Sequence, residues 1–557
     1  MPVSNIRVAT SGQIRELEKL WIERMSKITA MNWGQVLMEA AGRVTALSAL
    51  SLWNENPGHV SILCGRGNNG GDGLVIARFL SLWDIPVSAF IFSEDGQETM
   101  LSEESENNRK ILQELDVEVV ALGNSEHLEA ALDAIVASSS VIVDALFGTG
   151  LTRPLTGVFR TIIETINNSA RPVLAVDIPS GINADTGEIM GTAMRAVRTA
   201  TFGYPKPGHL SYPGYEYAGE LSLLDIGLPS FGEPLLCKLR DEAGLGPDTG
   251  PFIYVTTCGS IQSVLPYRPI NSHKGTFGNL LTIAGSLGMS GSGYLAAESA
   301  LRIGAGLSYL ATPRSLIGAL PAAEVVYRPL SETTQQSIAQ DALPEITKLL
   351  DTAKAVVLGP GLSQNPDTVA MVLALTELIN QPCVIDADGL NALSQKGPQA
   401  IKLGRNFVLT PHPKELSRLT GKSVDDLLAD RVKATASAAE AFDCTVVLKG
   451  AFSVIANSEG EVFFNPTGNS AMSTAGAGDV LSGVIGGLLA QGLSPFDAAC
   501  AGVYLHGLAG DLAAQAIGAT GIVASDIKEG LPGALTAVAA GHLSYLEEKL
   551  FQFVTAI

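Results

Sequence analysis

The residues able to do chemistry sit in loops of two groups. In the first half, residues 64–73 read CGRGNNGGDG and run straight into a helical pattern. Their glycines allow backbone N–H groups to approach a phosphate at a helix N-terminus. Residues 144–154, DALFGTGLTRP, and 177–181, DIPSG, each open with a carboxylate at the end of an apolar run. In the second half come NSHKGTFG (271–278), GPGL (359–362), DADG (386–389), TPHPKE (410–415), KG (449–450) and STAGAGD (473–479). GAGD opens a long apolar helix. The N–H groups of Ala477, Gly478 and Asp479 can therefore form an anion hole for a transferring phosphoryl group. The Asp479 carboxylate can take the proton of a hydroxyl that attacks phosphorus.

Alone, any one glycine loop is a tight turn between strand and helix, and a strand-end Asp is often an N-cap. Three such loops after successive strands outweigh that reading in the first half. GAGD alone is satisfied by a helix N-cap with two flexible glycines, but TPHPKE and the KG strand end upstream make it part of a set. GRGNNGGDG lacks the GK[ST] of a phosphate-binding P-loop and is not GxGxxG. Lys206, in GYPKPGH, reads equally as a surface lysine or a site residue.

Positioning these loops requires alternating strands and helices. Residues 11–52 read as helices, with Ser11 as N-cap and Glu16 and Glu18 in the early turns. Strands HVSILC, PVSAFIF, VEVVAL, SVIVDAL and PVLAVDI then alternate with amphipathic helices, and strands near 199–202 and 220–224 complete the series. Apolar strands without alternation imply a parallel sheet covered on both faces, with ligands outside the carboxyl ends of its strands. The rhythm is lost over residues 229–259, a Gly- and Pro-rich linker candidate. A second series follows: NLLTIAG, LSYLAT, AVVLGPG, PCVIDAD, NFVLTPH, TVVLKG and SVIAN, closed by long helices. The expected fold is α/β in two domains, 1–235 and 250–557.

The 557 residues exceed one core at roughly 100–200 residues per domain. With 46% hydrophobic and 17% charged residues, the chain is not disordered. A net charge of −20 without a Lys/Arg run argues against a nucleic-acid partner. Six scattered cysteines without CxxC argue against a zinc site or disulfide framework and fit a reducing compartment. The N-terminus lacks a signal-peptide pattern, and no uncharged apolar run reaches the ~18 residues of a membrane span. The expected location is the cytoplasm, without a membrane partner.

GNNGGDG, VDALFGTGLTRPLTG, VDIPSG and TFGYPKPG together resemble the NAD(P)H-hydrate epimerase family, the YjeF N-terminal domains, over about residues 11–229. The resemblance implies a Rossmann-like three-layer sandwich that interconverts the R and S epimers of NADH or NADPH hydrated at C6. It implies that the hydrate is held by Asn68, Asn69, Gly70, Gly71, Asp72, Gly148, Thr149, Gly150, Leu151, Thr152, Arg153 and Pro154. It also implies that potassium is bound by Asn69, Asp144 and Ser180, and that Asp177 touches the substrate. Oxygen donors suit a hard cation, and the Asp177 carboxylate can relay a proton while the C6 carbinolamine opens or ionises.

The second set resembles the ribokinase-like superfamily, where the motif is DTxGAGD. Here its first Asp is Ser473, which argues against an ordinary sugar kinase. HKGTFG, VLGPGL, DADGLNAL, TPHPKE, LKG and GAGDVLSG are similar to the NAD(P)H-hydrate dehydratase family, the YjeF C-terminal domains, over about residues 260–540. Ala475 stands where that family usually has Gly. The resemblance implies a three-layer α/β/α domain in which Gly361, His412 and Asp479 contact the S-hydrate. Lys449, Gly450, Ala451, Phe452 and Ser453 would hold ADP with Mg²⁺, together with Asn469, Ser470, Ala471, Met472, Ser473, Thr474, Ala475, Gly476, Ala477 and Gly478. The nucleotide phosphorylates the C6 hydroxyl, and phosphate then leaves as NAD(P)H re-forms. ADP is the donor that two-domain fusions of this kind imply, although residue chemistry does not separate it from ATP. The expected partners are NADHX, NADPHX and ADP, and the expected assembly is a homo-oligomer. The alternatives are a small-molecule kinase fused to a nucleotide-binding regulatory domain, and an RNA-associated scaffold.

Overall fold

The computed structural model describes residues 5–94, 101–123, 127–230, 234–245, 250–542 and 547–548. Its contacts divide the chain into two compact units, the first chiefly Arg7–Gly250 and the second chiefly Pro251–Glu547, with Ile6 grouped with the second.

After the short strand β1 (Ile6–Val8), the first unit builds a seven-stranded sheet. Its strands are β2 (His59–Cys64), β3 (Val87–Phe92), β4 (Glu118–Leu122), β5 (Ser139–Ala145), β6 (Val173–Val176), β7 (Arg198–Phe202) and β8 (Glu220–Leu224). They lie in the order β4-β3-β2-β5-β6-β7-β8. Every pairing is parallel, as the apolar runs require: β5 and β6 present Val141, Ile142, Val143 and Val173 to covered faces. One face packs on helices Trp33–Glu55 and Asn68–Leu82 through Ala41, Ala49 and Ile76. The other packs on Leu128–Ser138 and Gly157–Asn168 through Leu132 and Ile162. The chain winds outward in opposite directions from β2 and β5, so the crevice beyond their carboxyl ends is the switch point where ligands bind in open α/β sheets.

From Pro251 onward the described strands are β9 (Phe252–Val255), β10 (Asn279–Ile283), β11 (Leu307–Pro313), β12 (Val326–Leu330), β13 (Ala355–Leu358), β14 (Cys383–Ile385), β15 (Phe407–Leu409), β16 (Thr445–Leu448), β17 (Val454–Ala456) and β18 (Glu461–Phe464). Their order is β9-β18-β17-β16-β15-β14-β13-β10-β11-β12. Only β16-β17 and β17-β18 are antiparallel. Helices Ala477–Ala490, Pro495–Ile517 and Ala524–Ala539 cover one face with a core that includes Val484, Leu488, Tyr504 and Leu531.

Three local expectations change. The N-cap of the first helix is Thr10, whose side chain accepts from the Gln13 N–H, while Ser11 donates from N (2.7 Å) and Oγ (2.7 Å) to Asp185. The NNGGDG segment is itself the first turns of the helix Asn68–Leu82, because its glycines let the helix start against the β2 and β5 ends. The linker candidate 229–259 holds a helix, Pro234–Glu242, and the strand β9. Its residues 231–233 and 246–249 lie outside the described ones. Leu236 of that helix is buried against Leu17 and Leu20, a tertiary partnership that local Gly and Pro content does not signal.

Candidate active sites

In the first unit, β2, β5, β6 and β7 are neighbours, so the loops after them converge on one sheet edge. The approach is close enough to require glycine. A Cβ on Gly65 would lie 1.8 Å from the Leu146 carbonyl oxygen, and one on Gly70 would lie 1.9 Å from the Gly65 oxygen. The helix Asn68–Leu82 is thereby drawn onto the β5 loop.

A cleft of about 780 Å³ opens there. Asn68, Asn69, Asp72, Gly148, Thr149, Gly150, Leu151, Arg153, Pro154 and Asp177 line it, among the expected hydrate residues. Gly70 and Gly71 are buried in the first turn of the helix, and Thr152 is exposed. Residues not anticipated also line the cleft: Arg15, Glu18 and Ile22 from the first helix, Leu37 and Met38 from the second, and Arg66. The signal of the helical ones was present in the sequence only as helical periodicity, whereas Arg66 lies within the glycine loop after β2.

Asp177 follows β6 with a left-handed backbone, φ 66°. Its N–H donates to the Ala200 oxygen at 2.7 Å. Its Oδ1 accepts from Lys206 Nζ and from Thr201 Oγ1 at 3.2 Å. Lys206 is 1% exposed, so the surface reading of this lysine is set aside. Its N–H donates to His209 Nδ1 at 3.1 Å, and His209 Nε2 donates to the Asp177 carbonyl at 3.0 Å. Burial, aided by the Lys206 charge, pushes the imidazole down to about 3, so it is neutral.

Asp144 and Ser180 lie behind the cleft wall. Ser180 donates to Asp144 from Oγ (2.6 Å) and N (2.8 Å), and its Oγ also reaches the Phe147 oxygen at 3.2 Å. Burial raises the Asp144 carboxyl to about 6, against the lowering effect of these bonds. Buried Asn69 Nδ2 has no hydrogen-bond partner among the described residues.

In the second unit, β13, β14, β15 and β16 are adjacent and deliver Gly361, Asp386, His412, Glu415 and Lys449 to one edge. Lys449 Nζ donates to Asp386 Oδ1 at 2.7 Å and lies 3.9 Å from Glu415 Oε2. Ser482 Oγ donates to Asp386 Oδ2 at 2.6 Å. Burial alone would raise Asp386, but Lys449 and these bonds hold it below the ordinary carboxylate value. Glu415 has less compensation, and burial lifts it to about 7. His412 caps the helix Pro413–Thr420, its Nδ1 accepting from the N–H groups of Lys414 (3.1 Å) and Glu415 (3.2 Å).

Asp479 stands in the first turn of Ala477–Ala490, after Gly476 at φ +88°. A Cβ on Gly478 would lie 3.5 Å from Lys449 Nζ and 3.8 Å from Asp386 Oδ2. The helix start, the lysine and the strand-end carboxylate are thus brought together. Burial raises Asp479 to about 6, a bond from Ser292 opposing and Asp386 adding to it.

Beside this edge, Asn469 donates to Asp511 Oδ1 at 2.8 Å, Ser470–Met472 form a short helix, and Ser473 and Ala475 are exposed next to Thr474. In the β16–β17 turn, Ser453 Oγ donates to the Gly450 oxygen at 2.9 Å and Ala451 accepts from Arg431 at 2.7 Å, beside Phe452. Asp386, Glu415, Ser292 and Ser482 were not anticipated as site residues. DADG and TPHPKE signalled the first two and GAGDVLSG contains Ser482, whereas nothing local signals Ser292.

Each unit therefore presents acid–base side chains and a glycine-opened helix at the carboxyl ends of a mainly parallel sheet, the arrangement of a two-site α/β enzyme. The family described as YjeF-related protein N-terminus matches residues 34–208, and the family described as NAD(P)H-hydrate dehydratase matches residues 280–532. A bifunctional NAD(P)H-hydrate repair enzyme of Thermofilum pendens is 40% identical, over 92% of this chain and 94% of its own. One from Moorella thermoacetica is 37% identical over 93% and 97%. The chain belongs to the family of bifunctional NAD(P)H-hydrate repair enzymes. Among solved structures, the ADP/ATP-dependent NAD(P)H-hydrate dehydratase of Bacillus subtilis is 31% identical, covering 52% of this chain and 99% of that one with a TM-score of 0.45. All six cysteines are free thiols, and among the described residues no helix is long and apolar enough to cross a membrane.

Proposed function

We propose that the cleft of the first unit epimerises hydrated NADH and NADPH at C6, and that the edge around Asp479 in the second dehydrates the S epimer at the expense of ADP, giving AMP and phosphate. The observation that carries this reading is the presence of two separate acid–base sites, one in each unit, in a chain of this family.

In the cleft, Asp177 exchanges a proton at the C6 carbinolamine, and Lys206 supplies its counter-charge. Apolar side chains of Leu37, Met38 and Phe159 line the same cleft and would pack on the tetrahydropyridine ring of the hydrate. Asn69, Asp144 and Ser180 would hold a potassium ion. A buried carboxylate without a cationic partner among the described residues, the hydroxyl bonded to it, and the Asn69 side-chain oxygen turned toward Gly148 of the β5 loop are oxygen donors that suit a hard cation. When bound, the ion supplies positive charge that fixes the β5 loop.

In the second site, Asp479 accepts the C6 hydroxyl proton, and the N–H groups at the helix start hold the transferring phosphoryl group. Gly361 and His412 flank the hydrate. Residues 449–453 and 469–478 hold the nucleotide, with Lys449 balancing its charge. Among the described residues no three His, Cys, Asp or Glu side chains gather as a metal cage. Mg²⁺ bound with the nucleotide phosphates would neutralise developing charge there. The units are proposed to be autonomous domains, in a cytoplasmic homo-oligomer.

The test is incubation of the purified protein with mixed R- and S-NADHX and ADP. Near-ultraviolet absorbance should recover fully, in a fast phase for S and a slower one for R. Recovery of only the S fraction beyond the spontaneous rate would remove the epimerase assignment. No recovery with either ADP or ATP would remove the dehydratase assignment.

A further inference from the structure

Epimerisation at a carbinolamine carbon removes oxygen from one face and returns it to the other. One group must give a proton to the departing oxygen, and another must take a proton from the incoming water. A carboxyl on one side of the ring serves one face only, so a group on another wall of the cleft must serve the second.

Glu18 lies on the helix Ser11–Thr29, ahead of the matched residues 34–208. It lines the same cleft as Asp177 and Asp72 and comes from a different wall, a helix rather than a strand end. Its neighbours are otherwise engaged. Arg240 of the helix Pro234–Glu242 pairs with Glu16, and Arg24 lies 3.6 Å from Glu242. On the helix Trp33–Glu55, Glu39 pairs with Arg78, and Arg43 lies over the Phe79 ring. Lys206 is committed to Asp177 and Thr201. The charges left to act on Glu18 are Arg15 on its own helix and, across the cleft, Asp177 with Lys206. Asp72 is buried beside them in the helix Asn68–Leu82 and feels both carboxylates.

We propose that Glu18 is the second acid–base residue of the epimerase site, working from the cleft wall opposite in chain origin to Asp177. The proposal rests on Asp177 acting at C6 as described above. The Glu18 carboxylic acid gives its proton to the C6 hydroxyl. The C6–O bond breaks, its electron pair leaves with water, and the ring nitrogen lone pair forms the iminium. Water then adds to the other face of C6 and gives its proton to the Asp177 carboxylate. One water leaves, one enters, and no electrons are exchanged with another reagent. The reverse epimerisation exchanges the two roles, and solvent resets the protons between turnovers. Burial first, then the Asp177 charge, lift Glu18 to about 7. Its acid form is thus present at neutral pH, whereas that of an exposed glutamate would not be.

The experiment measures R-to-S epimerisation against pH for the full chain and for Glu18→Gln, Glu18→Asp and Asp177→Asn. Dehydration of pure S-NADHX with ADP serves as the internal control. Glu18→Gln should lower kcat for epimerisation by at least ~10²-fold and abolish the fall in rate above neutral pH. KM and S-hydrate dehydration should stay near wild type. Glu18→Asp should retain the alkaline fall at a reduced rate, which a merely structural role would not produce. If Glu18→Gln is as fast as wild type, or slow with the alkaline fall intact, Glu18 is not the acid. Should Glu18→Gln fail to fold, the Glu18→Asp profile decides: an alkaline fall unchanged in position and rate overturns the proposal. Unimpaired Asp177→Asn alongside a slow Glu18→Gln would overturn the Asp177 assignment instead.

Discussion

Lys206 donates from Nζ to the Asp177 carboxylate and to Thr201 Oγ1 at 2.7 Å, with the lysine almost wholly buried. The pair joins the ends of β6 and β7 at the floor of the cleft. Removing one partner of a buried pair leaves an uncompensated charge, at a cost of about 3–5 kcal/mol. Lys206→Met should therefore lower the thermal midpoint of the first unit and slow epimerisation by at least ~10-fold. Dehydration of S-NADHX should be unchanged. Wild-type epimerisation by this variant would show that Asp177 needs no counter-charge.

Asp479→Asn keeps the helix start and removes the proton acceptor. Single-turnover dehydration of S-NADHX should drop by roughly 10²-fold, with ADP affinity preserved in calorimetry. Because the carboxyl is raised to about 6 and must be ionised to accept a proton, wild-type dehydration should rise with pH through about 6. That limb should vanish in the variant. Lost ADP affinity with unchanged chemistry at saturation would assign Asp479 to the nucleotide.

The Asp386–Lys449 pair makes a stability prediction. Asp386 is held below its ordinary 3.8 in the fold. It therefore contributes stability that is fully present above the unfolded value and lost as pH falls through the folded one. Lys449→Met should remove that contribution and leave a buried carboxylate unpaired. The second unit should lose several degrees of thermal midpoint at pH 7, and less as acid protonates Asp386. An unchanged midpoint at pH 7 would mean that the Ser482 and Thr410 hydroxyls satisfy the carboxylate without the lysine.

Separate fragments test autonomy. Residues 1–235 and 250–557 should each be soluble and keep one partial activity. A fragment of residues 1–248 should melt higher than 1–235, because it retains the helix Pro234–Glu242 with its buried Leu236 and Leu239, the former packed beside Leu17 and Leu20. Each buried leucine side chain is worth about 1.5–3 kcal/mol. Equal midpoints would show that this helix adds nothing to the first unit.

The sequence by itself determined the two α/β units, because continuous apolar runs between amphipathic helices can bury both faces only in parallel sheets. It also marked the candidate site loops: a carboxylate or a glycine run straight after an apolar strand is a local pattern, and the loops after β2, β5, β6, β13, β14, β15 and β16 fall at carboxyl strand ends. The tertiary structure decided what depends on strand order and helix docking, which local spacing does not encode. Whether Lys206 was a surface lysine or a buried partner of Asp177 followed from β7 lying next to β6. Glu18 read as an early-turn helical residue until the first helix packed along the cleft, and Pro234–Glu242 read as linker until it packed beside Leu17. The Asp386–Lys449–Ser482 cluster joins two strand ends and a helix separated by 63 and 96 residues, a distance in sequence at which only folding creates the contact.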